Sequence, residues 1–144
     1  MKVAVIYESR TGNTARVARM IGAAAEELGA EVGVWSTSRV NLDFLSDADL
    51  VFVGTWTDGV IIAGHRPGDS RRLKAMPGLW GLPTAGFVTY AIHAGNVIDK
   101  LERVVVDRGG EWLGGRLFKR GRLSEGVGTF VTAAFEAAGA ETQV

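Results

Sequence analysis

Short apolar segments alternate along the chain with stretches of helical periodicity, and this alternation constrains the fold more than any other feature. The apolar segments are rich in β-branched residues, which is typical of strands covered on both faces. They occupy residues 2–7, 31–36, 49–55, 83–89 and 111–119. Parallel strands need crossover connections, and those are right-handed. We therefore expect an α/β fold, a three-layer, doubly wound sheet of five parallel strands, in a single domain over residues 1–144.

The intervals between these segments carry the helical pattern. Helices are expected at residues 13–28, 42–45, 69–76, 96–108 and 124–138. Gly29 is a natural stop for the first helix, since glycine readily takes the left-handed conformation that ends helices. In the last helix we expect Ser124 to be the N-terminal cap and Gly139 to be the stop.

Composition excludes several classes of function. The chain has no cysteine, so disulfides, iron–sulfur clusters and thiolate catalysis are excluded, and its two histidines leave little material for a metal site. Sixteen basic and sixteen acidic residues cancel, which argues against nucleic-acid binding. No apolar run approaches the ~20 residues of a membrane span. No signal-peptide pattern is present, and we expect a cytoplasmic protein.

In a doubly wound sheet the ligand site lies outside the carboxyl ends of the strands, where the strand order reverses. Three loops leave those ends here, at residues 8–14, 56–68 and 90–95. We therefore expect the functional site among these three loops.

The first of these loops, ESRTGNT at residues 8–14, joins a strand to a helix and is unusually rich in small polar side chains. Its hydroxyl and amide groups belong to Ser9, Thr11, Asn13 and Thr14. The start of a helix adds backbone N–H groups without partners and a partial positive charge, and Gly12 permits close approach of a ligand. An ordinary helix cap explains only one or two of these residues. Because the lysine of a nucleotide-binding P-loop and the Gly-x-Gly-x-x-Gly pattern are both missing, a phosphate monoester is the expected ligand.

Residues Ser9, Arg10, Thr11, Gly12, Asn13 and Thr14 match the phosphate-loop signature of flavodoxins, Ser/Thr-x-Thr-Gly-Asn-Thr, at every defined position. The order of elements also resembles that of short-chain flavodoxins along the entire chain. The resemblance implies bound FMN and the sheet order 2-1-3-4-5.

The resemblance also assigns the other two loops to the flavin ring. In the second loop Trp56 would stack on the inner face of the ring, and the cofactor-binding residues would be Thr55, Trp56, Thr57, Asp58 and Gly59. The alternative for Trp56 is a core residue that continues the third strand. The third loop would contribute Thr89, Tyr90, Ala91 and His93. Tyr90 or His93 would cover the outer face, although Tyr90 could equally pack at the end of its strand.

Thr57 departs from the flavodoxin pattern. Many flavodoxins have glycine at this position, and its peptide turns over when the flavin gains one electron and a proton. A β-branched residue disfavours the positive φ of the turned state. We therefore expect a less stable one-electron-reduced flavin, unless Asp58 and Gly59 supply the flexible bond.

Charge is a second departure. Flavodoxins usually surround FMN with carboxylates, whereas the expected rim here combines acids with bases, namely Glu8 and Asp58 with Arg10, His65, Arg66 and His93. Two unit charges ~10 Å apart interact by roughly 1.7 kcal/mol at an effective dielectric of ~20. An interaction of about 1.4 kcal/mol corresponds to about 59 mV for one electron. Exchanging several of the usual acids for bases would stabilise the anionic, fully reduced flavin. We therefore expect the reduction potential of the low-potential couple to rise by on the order of 100 mV. The alternative for Arg66, Arg71 and Arg72 is an ordinary solvated face.

Packing roles are expected for the remaining tryptophans, Trp35, Trp80 and Trp112. The apolar residues 60–62 could cover the flavin edge, form a docking patch, or pack on the sheet, and we favour the last.

The resemblance implies an FMN-dependent, low-potential electron carrier that acts as a monomer and docks briefly with redox partner proteins, a reductase and an acceptor. The cofactor would supply the reactivity, so no catalytic residue and no metal ligand are assigned. The alternative is a small FMN-dependent quinone or protoporphyrinogen oxidoreductase. A third possibility is an interaction module that has lost its cofactor, and the complete phosphate loop argues against it.

Overall fold

The computed structural model describes residues 1–10, 12–57, 76–92 and 94–142. The described residues form one sheet of five parallel strands in the order β2-β1-β3-β4-β5. The strands are β1 (Lys2–Tyr7), β2 (Glu31–Ser36), β3 (Leu50–Trp56), β4 (Pro83–Tyr90) and β5 (Glu111–Lys119). The expected doubly wound α/β fold and its strand order 2-1-3-4-5 are therefore confirmed.

Four helices accompany the sheet in the described part of the chain. They are α1 (Asn13–Glu27), α2 (Leu42–Ser46), α3 (Val97–Asp107) and α4 (Val127–Thr142). None of these helices combines the length and the apolar character that crossing a bilayer would require. The helix expected at residues 69–76 falls, except for Met76, outside the described residues.

The expected ends of the last helix are wrong. Ser124 is not its cap, because turns occupy residues 123–126 and α4 begins only at Val127. Gly139 does not stop it either, since α4 continues to Thr142. An interior glycine costs a helix only about 1 kcal/mol relative to alanine. Buried neighbours such as Ala138 can outweigh that cost.

Two apolar layers hold the helices against the sheet. Alternate residues of β1 face opposite sides, so that Val3 and Val5 join one buried cluster while Ala4 and Ile6 join the other. The first cluster contains residues of α1 and α4, and the second contains residues of α2 and α3. All four β1 residues are fully buried, and each such valine or isoleucine side chain contributes about 1.5–3 kcal/mol.

The stop of α1 at Gly29 is confirmed. Gly29 has a φ of 91°, and its N–H donates to the carbonyl of Glu26 at 2.9 Å. The N–H of Ala30 donates to the carbonyl of Ala25 at 3.1 Å. These bonds satisfy carbonyl groups that the end of the helix would otherwise leave without donors.

Two of the three tryptophans expected to pack do so. Trp35 meets the ring of Phe44 edge-on with 5.1 Å between centroids, and Trp112 packs half-buried against the second cluster. The packing expectation is wrong for Trp80, which is 64% exposed. Trp80 has a φ of 48° and precedes Gly81 at 78°, so both occupy the centre of a tight turn on the surface.

Candidate functional site

A cleft of about 270 Å³ lies at the carboxyl ends of the central strands. Its described lining comprises Arg10, Asn13, Trp56, Thr57, Thr89, Tyr90, Ala91 and Arg120. The first strand of the chain lies between β2 and β3, so the sheet order reverses beside this cleft. Every lining residue except Arg120 was predicted to be a site residue, and they come from all three predicted loops.

The remaining predicted site residues do not line the cleft or cannot be placed. Ser9 and Gly12 are half-buried in the loop before α1, Thr14 is buried at the start of α1, and Thr55 is fully buried within β3. Thr11, Asp58, Gly59 and His93 lie outside the described residues, as do His65, Arg66 and residues 60–62.

The side chain of Ser9 stabilises the conformation of the loop before α1. Gly12 has a φ of 93°, a left-handed conformation that explains glycine at this position. The hydroxyl oxygen of Ser9 accepts hydrogen bonds from the N–H of Gly12 at 3.1 Å and of Ala15 at 3.4 Å. Ser9 therefore orders the loop through its oxygen, and these bonds leave its hydroxyl hydrogen available to a ligand.

Two backbone donors at the start of α1 remain available. Within the described residues, the N–H groups of Asn13 and Thr14 have no hydrogen-bond acceptor, whereas the N–H of Arg16 donates to the carbonyl of Gly12 at 2.9 Å. Free N–H groups at the positive end of a helix are suited to an anion. The side chain of Asn13 lines the cleft beside them.

A buried hydroxyl pair joins α1 to β4. The hydroxyl oxygens of Thr14 and Thr89 lie 2.8 Å apart, and both residues are almost completely buried. Thr14 was expected to direct its hydroxyl at a phosphate, whereas in the structure that hydroxyl bonds to Thr89. One hydroxyl of the pair donates to the other, so the pair keeps a single hydrogen for a further acceptor.

Thr57 presents a buried polar atom that lacks a partner. Its N–H donates to the carbonyl of Thr89 at 2.9 Å, which ties the end of β3 to β4. Its hydroxyl oxygen is buried and, within the described residues, has no hydrogen-bond partner. Such a group costs about 1–3 kcal/mol when it stays unsatisfied. Because Thr57 lines the cleft, a polar ligand there could satisfy it.

Two aromatic residues at the ends of neighbouring strands line the cleft. Trp56 is the last residue of β3, pairs in register with Thr89 of β4, and is half-buried. Trp56 therefore continues β3 and also lines the cleft, and its stacking on a flavin stays a prediction. Tyr90 likewise lines the cleft and packs against the second apolar cluster, and its contact with a flavin stays a prediction.

The charge around the cleft differs from the expected mixture in one respect. Glu8 was expected on the rim, but it is only 6% exposed and accepts a hydrogen bond from the Thr37 hydroxyl at 2.6 Å. The reason is that Glu8 follows β1, whose neighbour β2 ends beside Thr37. Among the described lining residues the charged groups are Arg10 and Arg120, and none is a carboxylate.

Arg120 is the lining residue that sequence reasoning missed. It follows β5 directly, and its N–H donates to the carbonyl of Tyr90 at 2.7 Å. The sequence pattern points only to the loops after β1, β3 and β4. The strand order 2-1-3-4-5 contained the missing signal, since it places the carboxyl end of β5 beside that of β4.

Comparison with known proteins finds a matching family model and similar solved structures. A family model described as a flavodoxin domain matches residues 4–142. Among curated proteins no match is found. The two-electron reduced flavodoxin of Megasphaera elsdenii is similar in structure, with a TM-score of 0.71 and 23% identity over 94% of this chain and 97% of its own.

Two further solved structures share the fold. Oxidised flavodoxin 1 of Bacillus cereus has a TM-score of 0.70 and 20% identity, covering 94% of this chain and 98% of its own. The rubredoxin oxygen:oxidoreductase of Desulfovibrio gigas has a TM-score of 0.77 and 18% identity, and the match covers 99% of this chain but only 37% of that larger protein. At these identities the similarities show a shared fold.

Proposed function

The chain belongs to the flavodoxin domain family, and from that premise we propose that it binds FMN in the cleft and carries electrons between redox partner proteins. The observation that carries the proposal is the composition of the cleft. Among the described residues, a helix start with free N–H groups, two aromatic side chains and a hydroxyl without a partner meet at the end of the sheet where such folds bind ligands.

The helix start suits the phosphate of FMN. The backbone N–H groups of Asn13 and Thr14 would donate to it, together with the Ser9 hydroxyl. The positive end of the α1 dipole favours a dianion. Arg10 is exposed at the cleft and adds a positive charge.

The ends of β3 and β4 suit the flavin ring. Trp56 and Tyr90 are the aromatic residues that would contact it, and stacking contributes about 0.5–1.5 kcal/mol beyond the buried area. Thr57 would direct its hydroxyl at a polar atom of the ring or of the ribityl chain. The flavin would thereby satisfy a group that is buried without a partner in the described structure.

The chain itself would bind, orient and shield the cofactor. Bound FMN would supply the redox chemistry, because a flavin accepts and releases electrons without an acid, base or nucleophile from the protein. Packing of the ring against Trp56 would exclude water from one of its faces. Exposed surface beside the cleft would admit a partner protein.

A second function is favoured by one observation. Arg10 and Arg120 line the cleft, and a flat, anionic small molecule could lie between them against the flavin. In that case the protein would be a small FMN-dependent quinone or protoporphyrinogen oxidoreductase rather than a carrier.

An anaerobic experiment tests the proposal and separates the two functions. The purified protein, incubated with FMN and desalted, should be yellow and should accept two electrons per flavin in a reductive titration. As a carrier it should then reduce an acceptor protein, and it should not catalyse multiple turnovers of a quinone with a nicotinamide donor when no other protein is present. A colourless protein after desalting would contradict FMN binding, and rapid quinone turnover by the protein alone would favour the oxidoreductase.

A further inference from the structure

Cations are concentrated beside the cleft. Arg10 and Arg120 line the cleft, and a smaller cavity of about 160 Å³ next to it is lined in part by Arg116, Lys119 and Arg122. Tyr90 lines both cavities, so the two are neighbours. Glu125 is the single carboxylate among the described lining residues. We call these five cations with Tyr90 the basic surface.

The basic surface contrasts with a chain that is neutral as a whole. Formal charges cancel over the full sequence, so carboxylates must predominate elsewhere. Several of them mark the opposite end of the sheet, where Glu31 and Glu111 begin strands and where Glu27 and Asp107 end helices. Lys2 and Arg108 also lie at that end, so what the described residues show is a local basic surface beside the cleft. A local surface of one sign attracts an oppositely charged partner before contact.

The exposure of the cations favours a protein partner over a small anion. Arg10, Lys119, Arg120 and Arg122 are all exposed, and in the described structure none of them forms a salt bridge. Exposed cations spread over two cavities match carboxylates that are spread over a protein surface. A small anion held between Arg10 and Arg120 would leave Lys119 and Arg122 in the smaller cavity unpaired.

Arg116 lies at the edge of the basic surface and is held there by its neighbours. Its guanidinium lies against the backbone of Gly126, where a Cβ atom would come within 2.0 Å of it. It also lies 5.9 Å from the centre of the Phe118 ring. Its Nε is buried and, within the described residues, has no acceptor. The contacts with Gly126 and Phe118 hold the guanidinium in place at the edge of the basic surface.

From these observations we infer that the basic surface docks an acidic redox partner protein. The partner's carboxylates meet Arg116, Lys119, Arg120 and Arg122, while Arg10 faces the phosphate of FMN and the partner's redox centre lies over the cleft. This inference rests on the proposed function, because the docked partner exchanges electrons with FMN. It specifies the charge of the partner, which the proposed function leaves open.

Cytochrome c in two forms provides the test, because succinylation of its lysines makes this basic protein acidic and leaves its haem in place. FMN-loaded protein is fully reduced without oxygen and mixed with either form in a stopped-flow instrument. Each ferric haem takes one electron, so two cytochromes oxidise one reduced flavin, which releases its protons to solvent. At about 10 mM ionic strength the acidic form should react roughly 10-fold faster than the basic form. At about 0.5 M salt the two rates should lie within about 2-fold of each other, because charges are then screened.

A pair of double variants locates the effect. Lys119→Gln with Arg122→Gln removes two cations that line the smaller cavity and not the cleft, so FMN binding should persist. The rate with the acidic form should fall roughly 3-fold or more. Arg19→Gln with Arg103→Gln removes the same charge from exposed positions on α1 and α3 and should leave that rate nearly unchanged.

Three results would overturn the inference while FMN binding stands. The first is an equal or faster reaction of the basic form at low salt, and the second is an equal rate loss in both double variants. The third is loss of the preference in about 5 mM phosphate but not in chloride of the same ionic strength, which would assign the surface to a small anion. If no FMN binds at all, the proposed function fails before this experiment begins.

Discussion

At the scale of single residues, Thr57 is the residue that most directly tests the proposed binding of FMN. Its N–H is engaged with β4, while its hydroxyl is buried in the cleft wall without a partner among the described residues. That hydroxyl would be a cost in the cofactor-free protein and would form a hydrogen bond in the proposed FMN complex. Removal of the Thr57 hydroxyl should therefore stabilise the cofactor-free protein and weaken the binding of FMN.

Thr57→Val tests this opposition, because valine has nearly the same shape and lacks the hydroxyl. We expect the cofactor-free protein to be unchanged or more stable by about 1 kcal/mol, and FMN affinity to fall roughly 5–10-fold. Thermal unfolding without FMN and a fluorescence titration with FMN measure the two effects. A variant that unfolds more easily and binds FMN normally would give the hydroxyl a structural role only.

Thr57→Gly tests the backbone at the same position. Among the described residues Trp80 is the only one other than glycine with a positive φ, so Thr57 stays in an ordinary conformation. Glycine there would make a positive φ accessible. We expect a larger maximum of one-electron-reduced flavin during reductive titration of the variant than of the native protein. A native protein that already accumulates this form as its main species would contradict the expectation.

At the scale of elements, the start of α1 depends on a left-handed glycine. Gly12→Ala forces alanine to a φ of 93°, and among the described residues nothing lies within 4 Å of its Cβ, so the expected cost comes from the backbone conformation. We expect a stability loss of about 1–2 kcal/mol and a loss of FMN affinity of roughly 10-fold, because the loop would rearrange. Differential scanning calorimetry and FMN titration measure these losses.

Gly29→Ala is the matched control for that variant. Gly29 has a φ of 91° and equally open surroundings, but it ends α1 at the opposite end of the helix from the cleft. It should lose similar stability and keep its FMN affinity. Equal loss of FMN affinity in both variants would show that the effect reflects stability and not the loop.

The hydroxyl pair that joins α1 to β4 also belongs to this scale. Thr14→Val or Thr89→Val alone should cost about 1–2 kcal/mol, because each leaves a buried hydroxyl without its partner. The double variant should be more stable than the sum of the two losses predicts, with a coupling of about 0.5–1.5 kcal/mol. Urea unfolding of all four proteins gives this coupling, and strictly additive losses would show that the pair is not a stabilising contact.

At the scale of the whole molecule, periodicity was sufficient to predict the sheet, and the phosphate-loop signature to locate one wall of the site. What could not be predicted depends on contacts between distant segments. Glu8 turns to Thr37, Arg120 reaches the cleft because β5 lies beside β4, and Trp80 is exposed by its turn. The continuation of α4 past Gly139 likewise reflects packing that local propensity does not contain.

The most direct measurement of the central claim compares FMN with riboflavin, which has the same ring and lacks the phosphate. If the start of α1 holds a phosphate dianion, calorimetric titration should show FMN binding roughly 100-fold more tightly than riboflavin, a difference of about 2.7 kcal/mol. Inorganic phosphate should compete with FMN for that site. Equal affinity for the two flavins, or no binding of either, would contradict the account.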